Sequence, residues 1–277
     1  MTDSVIRHVR PRTGSGAVID VTPADVGWRF LSFRVLTLAR GESVEEETAG
    51  NEVAIVPLAG SGRFAFGDER LPVARRDVFT ERPSVLYLPP RTAYSIETDE
   101  GLEVAIGGAP AIGLHPPRLY RPDELATFVR GGANVSRGVT VTLDPAFPTE
   151  RLIAYEILAP SGNWSSFPPH RHDGRQGTTY HEETYYYRLA PADGFVIQRL
   201  YTRDTDLDVS IAAASGDLVL VHEGFHTVVN APGSNAYSLN CLAGDQKPVV
   251  QLNDPAYAGI VDDWTGSPVA IPIDPGV

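Results

Sequence analysis

Phe167-Pro168-Pro169-His170-Arg171-His172-Asp173 sets two imidazoles at i and i+2 after a Pro-Pro pair. On a β-strand, side chains two apart leave the same face, about 7 Å apart at the backbone, so both rings can turn to one point. Downstream, Glu183–Leu189 reads as a strand, with Glu182 just before it. Gly216-Asp217 then opens the apolar run Leu218–Val221, and His222-Glu223-Gly224-Phe225-His226 follows. Of the seven histidines only His8 and His115 stand apart, and the others fall between 170 and 226. Imidazoles converging in this way can share one divalent ion, with His226 as a third nitrogen and Glu182 or Glu183 as the oxygen. The pattern reads as a metal site carried on strands.

The rest of the chain supports strands. It has 23 Pro and 26 Gly among 277 residues, spread along its length, which favours short strands joined by turns over long helices. Val53–Leu58, Arg63–Phe66, Ser84–Leu88, Thr92–Thr98 and Leu102–Ile106 are strand-like, with Gly60-Ser61-Gly62, Gly67-Asp68 and Pro89-Pro90 between them. Phe195–Thr202, Thr227–Asn230 and Tyr237–Leu242 continue the style. Only Pro122–Phe128 predicts a short helix, with Pro in its first turn and acids beside it. Laying Val85–Pro89 over Leu218–His222 keeps the apolar run and its turn in step, and places Ala93 where His226 stands. Such a repeat predicts two similar β-barrels in tandem, the first without the ligand set. The expected layout is a barrel over 1–120, a linker with a short helix over 121–150, the metal-binding barrel over 151–250 and an irregular tail over 251–277.

Charge and cysteine content narrow the function. Lys plus Arg is 23 and Asp plus Glu 35, a formal charge of −12, which disfavours nucleic acid and anionic membranes as partners. One cysteine excludes an internal disulfide and any multi-thiolate metal site, and Cys241 reads as a small buried core residue. The start, MTDSVIRHVR, lacks a signal-like apolar stretch, so a cytoplasmic protein is expected. By the same reasoning, Asn134-Val135-Ser136 and Asn163-Trp164-Ser165 are chance glycosylation patterns. His222–His226 fits the H-E-x-x-H string of zinc proteases, but that motif needs a helix and here lies between strands. Gly60-Ser61-Gly62-Arg63-Phe64-Ala65 fits a dinucleotide fingerprint, yet a turn follows in place of a helix N-terminus.

Gly216-x5-His222-Glu223-Gly224-Phe225-His226-x3-Asn230 resembles the second cupin motif, and Pro169-His170-Arg171-His172 with the later Glu resembles the first. More narrowly, Phe167–Asp173, Glu182–Arg188, Gly194–Thr202 and Leu239–Gly244 are similar to the 5-deoxy-glucuronate isomerase family of inositol catabolism. Those two-cupin proteins are related to 5-keto-4-deoxyuronate isomerase. The likeness extends through Val129–Arg137 and Asn253-Asp254-Pro255. It implies an all-β bicupin of two jelly-roll-like barrels and a metal site of His170, His172, Glu183 and His226. Glu183 is preferred to Glu182 because it shares a strand face with Tyr185 and Tyr187. The chain departs from the family pattern at His222, Tyr187, Gly138 and Thr140, positions that bear on substrate rather than on metal.

The implied reaction is the aldose–ketose conversion of 5-deoxy-D-glucuronate to 5-dehydro-2-deoxy-D-gluconate on one divalent ion, Zn, Mn or Fe. A Lewis acid is needed because the C2 proton of a hydroxyaldehyde is too weakly acidic to leave unaided. Glu182, Glu183 and Tyr185 are candidates to carry the proton. The substrate carboxylate needs a cationic anchor, Arg199 first and Arg137 second, with Gln198 and Tyr187 as further pocket residues. A cupin dioxygenase with the same three-His, one-Glu shell is the alternative enzyme, and a non-catalytic sugar-acid-binding cupin the other reading.

Overall fold

The computed structural model describes residues 5–144 and 147–260. Alternation builds its second half. Along the strand His181–Ala190, Tyr185, Tyr187 and Leu189 turn one way, into a core shared with Val196, Leu200 and Val228 of a facing sheet. Tyr186 turns the other way, into a core shared with Phe33, Val35 and Ala105 of the first half. One sheet therefore serves two interiors, which is why nearly every residue of that strand is buried.

The sheet has seven antiparallel strands in the order His8–Val9, Leu218–Val221, His181–Ala190, Asn235–Gly244, Ile153–Ala159, Arg137–Leu143, Thr127–Arg130. Facing it are five strands in the order Asp208–Ala213, Val196–Tyr201, Phe225–Asn230, Trp164–Arg171, Leu252–Asn253. The first half repeats the larger sheet: Arg118–Tyr120, Val85–Leu88, Asn51–Phe66, Ala93–Pro110, Ser32–Leu38, Gly16–Val21. Its two central strands run 16 and 18 residues and bend at bulges, so their far ends form the second layer with Glu69–Arg75 and Ser43–Glu47. Gly60 is obligatory at that bend, because its φ is +99° and a Cβ would overlap the Gly101 carbonyl. The all-β tandem layout holds, with the layers of each half packed face to face rather than closed by backbone pairing.

The boundaries differ from the expected ones. Pro122–Glu124 is a single 3-10 turn, and the β-branched and aromatic residues after it pair instead as Thr127–Arg130 with Arg137–Leu143. Residues 121–150 thus supply two strands of the second half's sheet rather than a bare linker with a helix. Nor does 1–120 form the first half alone, since His8–Val9 pairs with Leu218–Val221. Arg118–Tyr120 occupies the matching edge of the first half, on Val85–Leu88. Each repeat lends its leading strand to the other, or to the unit before it. Of the expected tail, Leu252–Asn253 is a strand on Trp164–Arg171 and Pro255–Ile260 a 3-10 turn. Residues 261–277 lie outside the described ones.

Reciprocal clamps join the halves. Glu182, fully buried, accepts hydrogen bonds from the backbone N–H groups of Arg29, Phe30 and Leu31 and from the Tyr180 hydroxyl. Glu52, at the same place in the first half's strand, accepts from the N–H groups of Glu150, Arg151 and Leu152 and from the Tyr87 hydroxyl. Between them Arg75 makes a bidentate, buried pair with Glu156, which also accepts from Tyr237. Cys241 packs in the same shared core, and burial pushes its thiol up to about 12.

Candidate metal centre

The strand Trp164–Arg171 carries His170, and His172 follows it by two residues. Phe225–Asn230 carries His226 directly opposite His170 in register. The neighbouring strand of the large sheet brings Glu183 in from the other layer. Ring nitrogens of His170, His172 and His226 lie within 4.8 Å of one another. Glu183 Oε2 is 3.0 Å from His172 Nε2 and 3.1 Å from His226 Nε2. Three imidazoles and a carboxylate, expected from the sequence to meet, do meet.

The surroundings fit a cation. His226 is fully buried, and among the described residues neither ring nitrogen makes a well-aligned hydrogen bond, Nε2 standing only beside the Glu183 carboxylate, an expensive arrangement unless a ligand takes one of them. His170 Nδ1 lies 3.2 Å from the Pro168 carbonyl and His172 Nδ1 lies 3.1 Å from that of His181. Both contacts leave Nε2 to face the cluster. Burial, then the charges of His226 and His172, hold His170 well below the usual imidazole range, so it is a neutral donor. Burial alone would raise Glu183, but His172 and His226 outweigh it and keep the carboxylate ionised. Asn240 Nδ2 donates to its Oε1 at 3.0 Å. For His170 and Glu183 these are the protonation states that a first-row divalent ion requires of N3O donors. At His172 burial opposes the imidazolium but Glu183 favours it and its pKa is raised, so a bound ion would displace that proton.

A cavity of about 420 Å³ opens beside the cluster. Its wall includes Arg137, Arg130, Tyr155, Ser166, Tyr185 and Asn240 together with His170, His172 and Glu183. The Tyr185 hydroxyl is 2.9 Å from Ser166 Oγ. Burial, then Glu183, raises its pKa far above the usual phenol value, so it keeps its proton. Arg137 is buried against the Val135 carbonyl at 2.9 Å. Burial and then Arg130 push its guanidinium down to about 10, which leaves it charged at neutral pH. Tyr187 and Gln198 meet below, the hydroxyl donating to Oε1 at 2.8 Å, and they floor the barrel rather than line the cavity.

Two expectations are corrected here. Glu182 faces the first half, one residue out of phase with the cluster, and its oxygens are filled by backbone N–H groups, so it carries no proton in this cavity. Arg199 alternates onto the outer face of its strand, where Asp208 holds it through two hydrogen bonds. It lines a separate groove of about 620 Å³ that contains none of the four candidate ligands. Among the departures, His222 accepts from Trp28 Nε1 and donates to the Ile6 carbonyl, joining the halves. Gly138 and Thr140 lie out of phase with the cavity residues Arg137, Val139 and Val141. Arg130, Ser166 and Asn240 were not singled out from sequence. Register would have found Asn240, which lies directly opposite Tyr185.

Known proteins carry the same architecture. The crystal structure of an IolB-like protein from Salmonella typhimurium LT2 superposes with a TM-score of 0.89 at 31% identity, over 92% of this chain and 99% of that one. A mutant oxalate decarboxylase of Bacillus subtilis reaches 0.62 at 13% identity, over 96% of this chain and 86% of that one, a likeness of fold. The 5-deoxy-glucuronate isomerase of Geobacillus kaustophilus is 38% identical over 254 residues, 90% of each chain. Since the KduI/IolB family model also matches residues 5–260, the chain belongs to the KduI/IolB family.

Proposed function

We propose that the chain is a 5-deoxy-glucuronate isomerase of inositol catabolism, converting the open-chain aldehyde acid to 5-dehydro-2-deoxy-D-gluconate. The observation that carries the reading is the cluster of His170, His172, Glu183 and His226 beside a cavity lined by Arg137, which no carboxylate among the described residues pairs. Relatives at 31–38% identity over about nine-tenths of the chain bear the isomerase name, which does not favour the dioxygenase or the non-catalytic reading.

The four side chains would hold one divalent ion, with Zn, Mn and Fe all compatible with the donor set. When bound, such an ion supplies Lewis acidity at the carbonyl and the neighbouring hydroxyl. The rest falls to the protein. Arg137 anchors the carboxylate and so fixes which end of the sugar acid meets the cluster. Glu183, held ionised, accepts the C2 proton and returns it to C1, while the O2 hydroxyl proton passes to O1. Tyr185, which keeps its proton, donates a hydrogen bond to a substrate oxygen, and Ser166 orients that hydroxyl. Val139, Val141 and Leu242 line the same wall and limit water.

NMR of 5-deoxy-glucuronate with metal-replete protein in deuterated water tests the proposal. Loss of the aldehyde resonance with growth of the keto acid is expected, and chelation stops it. Substrate left unchanged with both Mn²⁺ and Zn²⁺ removes the assignment.

A further inference from the structure

The hairpin Thr127–Arg130 and Arg137–Leu143 sets Arg130 directly opposite Arg137. Cross-strand partners on one face have Cβ atoms about 5 Å apart, and like charges there destabilise the pair. Here both side chains line the cavity of the metal cluster, Arg137 buried and Arg130 exposed. Among the described residues, no ion pair joins either guanidinium to a carboxylate. Asp144 on the same wall accepts from the Phe147 backbone N–H.

The turn is built to keep the arrangement. Gly131 has φ +84°, and a Cβ on it would run into the Val135 carbonyl. That same carbonyl accepts from Arg137 Nη1 at 2.9 Å, and a Cβ on Gly131 would also stand 3.0 Å from this nitrogen. The close turn therefore aims a guanidinium into the cavity, held at Nη1 by the Val135 carbonyl and at Nη2 by a long 3.5 Å contact to the Phe167 carbonyl, with no carboxylate on either.

We propose that Arg130 and Arg137 together clamp the substrate carboxylate, and that Arg130 makes the site select sugar acids over neutral aldoses. An anion between them turns a repulsive pair into two charge-assisted contacts, in a geometry suited to bidentate recognition. The identity of the sugar acid rests on the isomerase reading. The anion clamp itself does not.

The test uses the full-length, metal-replete protein, with Arg130→Ala and Arg130→Lys; Arg130 is exposed and its removal spares the core. Calorimetric titration with D-glucuronate and with D-glucose is run beside 5-deoxy-glucuronate kinetics. The expected result is that Arg130→Ala weakens glucuronate binding roughly 10- to 100-fold, leaves glucose binding as it was, and raises KM with little change in kcat. Arg130→Lys recovers part of the loss. Wild-type protein that binds glucuronate no better than glucose, or an Arg130→Ala variant with unchanged affinity and KM, overturns the clamp. If acid-selective binding is lost in the variant while wild type turns over no 5-deoxy-glucuronate, the clamp stands and the isomerase reading falls. If wild type isomerises and the variant keeps its KM, the reverse holds.

Discussion

Asn240 touches the centre only through Glu183 Oε1, and it shows how much a supporting residue can decide. Asn240→Leu leaves that carboxylate oxygen buried without its donor, and metal affinity should fall 10- to 100-fold, read as metal content after dialysis against graded chelator. His226→Ala removes one of the proposed ligands outright and should leave far less than one ion per chain in the same assay. That the four candidate ligands come together could be anticipated because imidazoles at i and i+2 share a strand face and Glu183 is in phase with two tyrosines, while the full set came from the resemblance. Glu182 and Arg199 were misread for a related reason. Parity tells which face a residue takes, but not that one face of His181–Ala190 meets another core, or that the outer face beside Arg199 carries Asp208.

At the scale of elements, the strand His181–Ala190 is a partition between the metal cavity and the joint with the first half. Glu182→Gln separates its two duties. One amide oxygen cannot satisfy three N–H groups, and the amide nitrogen would face donors, so stability should drop by about 3 kcal/mol in urea titration while metal content stays at wild type. The 3-10 turn Pro255–Ile260 is tied by Asp254, which accepts from Tyr201 and Arg203. Burial opposes ionisation of Asp254, but Arg203 and Tyr201 prevail and its pKa lies below the ordinary 3.8. A depressed carboxylate stabilises above its unfolded pKa and loses that contribution as pH falls through the folded value. Asp254→Asn should therefore lower Tm at pH 7 and narrow its difference from wild type as pH drops below about 3.8. Strands were legible from their apolar runs. The Pro122–Phe128 helix was not a sound reading, because Thr-Phe-Val pairs as well as it coils and only the partner strand decides.

Across the whole molecule, the halves divide labour. The interior of the first is packed with Leu36, Ile55, Phe64, Leu86, Ile96 and Val104, while that of the second is apolar at one end and polar at the other. The first half thus buttresses the second, and the buried Arg75–Glu156 pair lies where they meet. Glu156→Ala strands a guanidinium in a dry interface and should cost about 3–5 kcal/mol, with loss of metal following unfolding rather than preceding it. The repeat was visible in the overlay of Val85–Pro89 on Leu218–His222, but the exchange of leading strands was not, since His8–Val9 is too short to declare its partner. That exchange bears on how such a chain can be handled. Severing it near residue 121 would strip one fragment of a border and leave the other holding a ribbon it cannot use. The C-terminal piece cut there would lack a border the intact chain supplies, so the repeats do not divide cleanly at their apparent boundary.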